Sequence, residues 1–123
     1  MKFEELIGYK LVSIDDKKII VKKDEKEYSI EFETDNGDCC GYNELETELL
    51  IEKNSNDNPV ITNIRMIDKS DSDGDSVEII FYGKNKELAK INSLSSSGSG
   101  WQYGACVSVK CNELNIEENI TSW

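Results

Sequence analysis

The chain is 123 residues long, the size of one compact domain. Its 14 Lys and Arg against 25 Asp and Glu leave a formal net charge of −11. That balance argues against direct contact with nucleic-acid phosphates but suits a partner whose own groove is basic. Histidine is absent, which excludes Ser-His-Asp and Cys-His nucleophilic sites, a histidine general base and His-ligated zinc.

No apolar run approaches the ~20 residues of a membrane helix. Residues 1–7 are too acidic and too briefly apolar for a signal peptide, so the cytosol is the expected compartment.

In chain order, Phe3, Leu6 and Ile7 read as one helical turn stopped at Gly8, followed by a strand to Ile14. Asp15, Asp16, Lys17 and Lys18 make a turn, and β-branched Ile19, Ile20 and Val21 begin a second strand. Strict alternation from Glu27 to Glu33 puts Tyr28, Ile30 and Phe32 on one face of a half-buried strand. Thr34, Asp35, Asn36 and Gly37 supply turn chemistry. Leu45 and Leu49, four apart among glutamates, predict a short amphipathic helix over 43–51 capped by Asn43.

A loop carrying Pro59, the sole proline, precedes a strand over 60–67 and an acidic loop over 68–75. Residues 76–82 form another strand, with 88–91 as its hairpin partner. The serine- and glycine-rich stretch 93–100 reads as a surface loop. The last strand runs from Tyr103 to Val109 and ends by Cys111, and the tail is expected to be a weak helix or mobile. The expected fold class is α+β, a mainly antiparallel sheet with one or two short helices. Residues 1–114 would form the single β-rich domain and 115–123 an acidic C-terminal tail.

Four cysteines, Cys39, Cys40, Cys106 and Cys111, fall in two close pairs. Buried core thiols are one reading of them. A structural zinc held by four thiolates is the other, because such sites take two close pairs from different segments. Adjacent Cys39 and Cys40 share a metal only if the backbone turns there. Otherwise Asp38, on the same face as Cys40, replaces Cys39 as a ligand. Cys106 and Cys111 differ in parity, so the chain must bend between them or beyond Lys110. A site using all four cysteines leaves no position for a catalytic water.

Alternating Asp71, Asp73 and Asp75 around Gly74 resemble part of a calcium loop, but a glutamate at the closing position and flanking helices are missing. A solvated acidic hairpin loop is the expected structure. The glycines make no phosphate-binding loop, and no catalytic constellation stands out.

Several segments together carry a resemblance. They are Leu6-Ile7-Gly8 with Leu11, the strand into Thr34-Asp35-Asn36-Gly37, then Asp38-Cys39-Cys40, Phe81-Tyr82 with Leu88-Ala89, and Ser97-Gly98 with Trp101, Tyr103-Gly104-Ala105 and Val107. This order resembles a family of small phage and prophage proteins of unknown function. The resemblance implies a phage protein in the bacterial cytoplasm that acts by binding a host enzyme. With the acidic charge it points to an anti-CRISPR protein that binds the type II CRISPR RNA-guided DNA endonuclease and hinders target DNA loading. The expected contact residues are Asp71, Asp73 and Asp75 in the acidic loop and Glu27, Glu31 and Glu33 on the exposed strand face. Another host enzyme as partner, or a small metalloenzyme, are the alternatives.

Overall fold

The computed structural model describes residues 2–35, 42–50, 59–71, 74–84, 86–96 and 105–122. The described residues form two antiparallel sheets. One has five strands in the order β1-β2-β3-β8-β9, the other four in the order β4-β7-β6-β5. The strands are β1 Lys10–Ile14, β2 Lys18–Lys23, β3 Lys26–Asp35, β4 Tyr42–Leu49, β5 Asn63–Asp68, β6 Asp75–Gly83, β7 Lys86–Ser96, β8 Cys106–Cys111 and β9 Ile116–Ser122. A short 3-10 helix, Lys2–Leu6, precedes them. No helix among the described residues is long and apolar enough to cross a membrane.

The mainly antiparallel β character agrees with the sequence reading, but the expected α-helices do not appear among the described residues. Residues 42–49 are strand β4. Leu45 and Leu49 lie four apart, a spacing that fits a helix face and equally the even spacing of a strand. Thr47 between them completes a period of two, half-buried Leu45, Thr47 and Leu49 alternating with exposed Glu44, Glu46 and Glu48.

The C-terminal segment is likewise a strand rather than a tail. Ile116, Ile120 and Thr121 are buried, and β9 pairs along β8. A register shift opposite Val107 and Ser108 turns both Ile120 and Thr121 inward.

One core lies between the sheets. Leu11, Ile19, Val21 and Ile30 enter from the five-stranded side, and Ile79, Phe81 and Ile91 from the other. The N-terminal helix is docked by Phe3 and Leu6, both fully buried, with Phe3 edge-on to Phe81 at 6.2 Å between ring centroids. Gly8, at φ 98°, then redirects the chain, as its position after an apolar turn predicts.

The sandwich changes chemistry toward one end. Inner positions of β7 pass from Ala89 and Ile91 to Ser93 and Ser95, all buried. The serines belong to this strand and not to a surface loop. Across the interior, Thr121 Oγ lies 2.7 Å from Ser93 Oγ and 2.8 Å from Ser95 Oγ. Ser95 donates to Asn43 Oδ1 at 2.6 Å, and Asn43 Nδ2 donates to the Asp35 carbonyl at 2.8 Å.

Each hydroxyl has one proton, so the directions follow. Because the Ser95 proton goes to Asn43, Thr121 must donate to Ser95. Ser93 must then donate to Thr121. A single directed chain of hydrogen bonds therefore runs from β7 through β9 and back to β7, then to β4 and β3, tying both sheets together.

The β2–β3 hairpin shows a local conflict. Lys23 pairs with Lys26, and the two residues between, Asp24 and Glu25, have φ of 53° and 65°. A two-residue turn of this hand favours Asn-Gly, and Glu has no local means of offsetting the steric cost. Glu25→Gly is expected to raise unfolding stability by about 1 kcal/mol. A higher denaturation midpoint at unchanged m-value checks this; a lower midpoint would show that the Glu25 side chain matters more than its backbone.

Candidate partner-binding surface

The structure separates the predicted zinc ligands. Strand β8 runs regularly through Cys111, alternating half-buried Cys106, Ser108 and exposed Lys110 with buried Val107, Val109 and Cys111. Cys111 packs in the apolar core, whereas Cys106 faces outward, its thiol donating to Asn119 Oδ1 at 3.4 Å. Five residues of strand place them about 17 Å apart along β8. One zinc ion holds each sulfur at about 2.3 Å, so these two thiols do not share a metal.

The bend that a joint site requires does not occur between them. Asp38, Cys39 and Cys40 lie outside the described residues. Among the described residues no group of three or more Cys, Asp or Glu side chains is placed to hold a metal. Burial, and next the Asp35 carboxylate, push the Cys106 thiol above its ordinary value, so it is a neutral thiol at pH 7. A metal there would have to displace that proton.

Register places several predicted residues at one end of the molecule. Asp35 pairs with Cys106 and Cys106 with Ser122 in one sheet, and Asp75 pairs with Ser95 in the other. The Ser122 N–H donates to Asp75 Oδ2 at 2.8 Å, joining the two rows.

Asp75 is consequently a structural group. Its second oxygen accepts from Ser70 Oγ at 2.6 Å, so both carboxylate oxygens are engaged. The acidic hairpin closes on itself elsewhere too. Asp71 N–H donates to the Gly74 carbonyl, and Asp68 Oδ1 accepts the Ser70 N–H; the Ser70 hydroxyl, and next that N–H, hold the Asp68 carboxyl below its usual range. Gly74 passes so close to β7 that a Cβ would stand 2.9 Å from the Ser95 carbonyl oxygen. Asp73 lies outside the described residues.

Glu27, Glu31 and Glu33 are exposed on the outer face of β3, as alternation predicts. That face is mixed in charge. Glu27 is opposite Lys22, and Glu31 sits between Lys18 and Lys110. Opposite charges across strands cancel much of the field that a basic partner would feel.

The more uniformly acidic surface is on β4, which the helical reading concealed. Exposed Glu44, Glu46 and Glu48 occupy successive outward positions, about 6.8 Å apart along an edge strand. Their cross-strand neighbours on β7 are Leu94, Asn92 and Lys90. Lys90 is the one cation in that row, and it is ion-paired to Glu87 at 3.4 Å.

Beside β4 lies an open groove of about 700 Å³. Leu45, Thr47, Leu49 and Ile14 line it, together with Glu46 and Glu48 of β4, Asn92 of β7, and Asp15 and Asp16 from the β1–β2 turn. The Lys17 and Lys18 backbone N–H groups donate to Asp15 Oδ1 at 2.8 and 2.9 Å and hold its carboxyl below the ordinary value. Asp15 is therefore ionised across the neutral range. The signal that would have found this surface was the strict alternation Glu44-Leu45-Glu46-Thr47-Glu48-Leu49.

The site thus combines an apolar floor, four flanking carboxylates and no nucleophile–base pair among its lining residues. Comparison with protein-family models, with curated proteins and with solved structures finds no match to this chain.

Proposed function

We propose that this chain is a non-catalytic binding protein that presents an acidic surface to a basic, nucleic-acid-binding partner. The observation that carries this reading is the row of glutamates on β4 beside a carboxylate-rimmed groove, in a chain of net charge −11. A basic channel built for phosphates attracts such a surface. The partner nominated by the sequence resemblance is the type II CRISPR RNA-guided endonuclease, whose positively charged channels hold the heteroduplex and displaced strand. Occupying such a channel hinders loading of target DNA, as an anti-CRISPR protein acting in the cytoplasm of the phage's bacterial host would do. A different basic host enzyme, such as a restriction enzyme or polymerase, is the second reading, and the same acidic surface favours it.

The metal part of the proposal narrows to a structural zinc held through Cys106 with Cys39 and Cys40, or with Cys40 and Asp38 in place of Cys39, without Cys111.

The test is target-DNA cleavage by a purified type II nuclease with its guide, titrated with this protein. Loss of cleavage is expected near equal stoichiometry when the protein is added before DNA, and much less when it is added after. The inhibition should weaken steeply between about 0.05 and 0.5 M salt, as the Debye length shrinks. Undiminished cleavage by several such nucleases overturns the nuclease assignment. Salt-insensitive inhibition overturns the acidic surface as its basis and favours an apolar anchor such as Trp101, Tyr103 or Trp123. These three lie outside the described residues.

A further inference from the structure

We propose that residues 45–49, the part of edge strand β4 beside the groove, are a docking strand, and that its occupant is an extended, lysine- or arginine-bearing segment of the partner protein added antiparallel or parallel to it. This rests on the binding function proposed above and names the element that performs it.

Two sheets with open ends present four edge strands, β1, β9, β4 and β5. Three of them are poor hosts. β1 is met by residues 59–61, where Leu11 N–H donates to the Pro59 carbonyl and Ile61 N–H to the Tyr9 carbonyl, both at 2.8 Å. β9 carries a bulge and an inward-facing Glu118, whose Oε2 is buried with no hydrogen-bond partner. Both features discourage strand addition. β5 is six residues long and presents Arg65 outward, which repels a basic segment.

β4 differs on each count. Its eight residues pair regularly with β7 along their whole length, without a bulge. Among the described residues no strand pairs with the other side of residues 45–49. The groove of about 700 Å³ runs beside residues 45–49 of β4, with Ile14, Asp15, Asp16 and Asn92 of β7 completing its lining. A strand added there would lie about 4.8 Å from β4 and run between it and the Asp15–Asp16 turn.

Side-chain chemistry then chooses the occupant. Alternate residues of an added strand would face Glu46 and Glu48 on one side and the apolar floor of Leu45, Leu49 and Ile14 on the other. Lysine or arginine alternating with apolar residues satisfies both, and the long stems of the cations cover apolar surface as well. A second copy of this chain does not. Antiparallel pairing of β4 with itself in central register sets Glu46 against Glu46 and Glu44 against Glu48, which like-charge repulsion opposes.

The experiment uses the whole protein and a labelled synthetic peptide of alternating lysine and valine, long enough to span residues 45–49 of β4. A control peptide of equal charge carries prolines at its centre, which cannot donate to a strand ladder. Fluorescence anisotropy should show the alternating peptide binding more than tenfold tighter than the proline peptide, and hydrogen exchange should show new protection of β4 amides. Glu46→Gln with Glu48→Gln should weaken binding at least fivefold. Glu27→Gln with Glu31→Gln should leave it unchanged.

Equal affinity for the two peptides, or protection elsewhere than β4, overturns the docking strand. So does nuclease binding by the Glu46→Gln, Glu48→Gln variant at the unaltered protein's affinity, and in that case the broader function survives. Peptide capture on β4 without any nuclease binding supports the docking strand and removes the nuclease as its target.

Discussion

Thr121→Val is expected to destabilise the domain by about 3 kcal/mol, lowering the thermal midpoint by on the order of 10 °C. The volume and branching are conserved, so packing alone predicts little change. The effect comes from the directed chain of hydroxyls. Thr121 accepts from Ser93 and donates to Ser95, and all three are buried. Valine leaves the Ser93 proton without its acceptor and the Ser95 oxygen without its donor, in a site that water does not reach. Each stranded buried polar group costs about 1–3 kcal/mol.

The companion measurement separates this cause from packing. Ser93→Ala, Ser95→Ala and Thr121→Val combined remove the polar groups together, and the triple variant should recover part of the lost stability. Asn43 Oδ1 then loses the Ser95 donor but sits in a partly buried position. If the triple variant is instead destabilised by the sum of the single effects, the hydroxyls act independently and the directed chain is wrong.

The second large effect is at Cys111. Cys111→Ser puts a hydroxyl where a thiol packs among core side chains, 4% exposed, and should cost about 2 kcal/mol. Cys111→Val should cost well under that, because an apolar side chain of similar size preserves the contacts. Cys106→Ser on the opposite face should change stability by only a few tenths of a kcal/mol in metal-free protein.

Metal analysis completes the comparison. Cys111→Ser should leave zinc content unchanged, and any zinc bound by the unaltered protein should fall in Cys106→Ser. Loss of zinc from a folded Cys111→Val variant would return Cys111 to the ligand set and contradict its place in the core.

Several strands were legible because their side chains repeat with a period that admits one structure. Tyr28, Ile30 and Phe32 alternate with charged or polar neighbours, and β3 forms as expected. Gly8 and the Asp15 turn likewise read correctly from local chemistry. Two segments expected to be helical or mobile are strands. Leu45 and Leu49 are four residues apart, a spacing common to one helical turn and two strand repeats, and so are Ile116 and Ile120 in the segment expected to be a weak helix or mobile tail. The alternation between Leu45 and Leu49 favours the strand, and pairing with a neighbouring strand fixes it. β7 is that neighbour for β4, and β8 for β9.

The serines of β7 depart from the expected surface loop for a different reason. Polarity ordinarily marks a loop, but Ser93 and Ser95 meet Thr121 and Asn43, residues 26 or more positions distant, and bury their hydroxyls with partners.

The candidate site divides in the same way. Acidity, the lack of histidine and the short β-branched runs follow from the sequence alone, because charge, residue chemistry and local conformational preference need no partner. They determine an acidic, β-rich domain without histidine chemistry. Tertiary structure decided which carboxylates stand exposed beside a groove. Cross-strand lysines surround Glu27 and Glu31, hydrogen bonds occupy Asp75, and an edge position exposes Glu46 and Glu48 beside a groove. It also decided that Cys106 and Cys111 point apart, since the straight course of β8 depends on pairing with β3 and β9 on either side. Those pairings join residues far apart in the chain, and their geometry arises only when the sheets assemble.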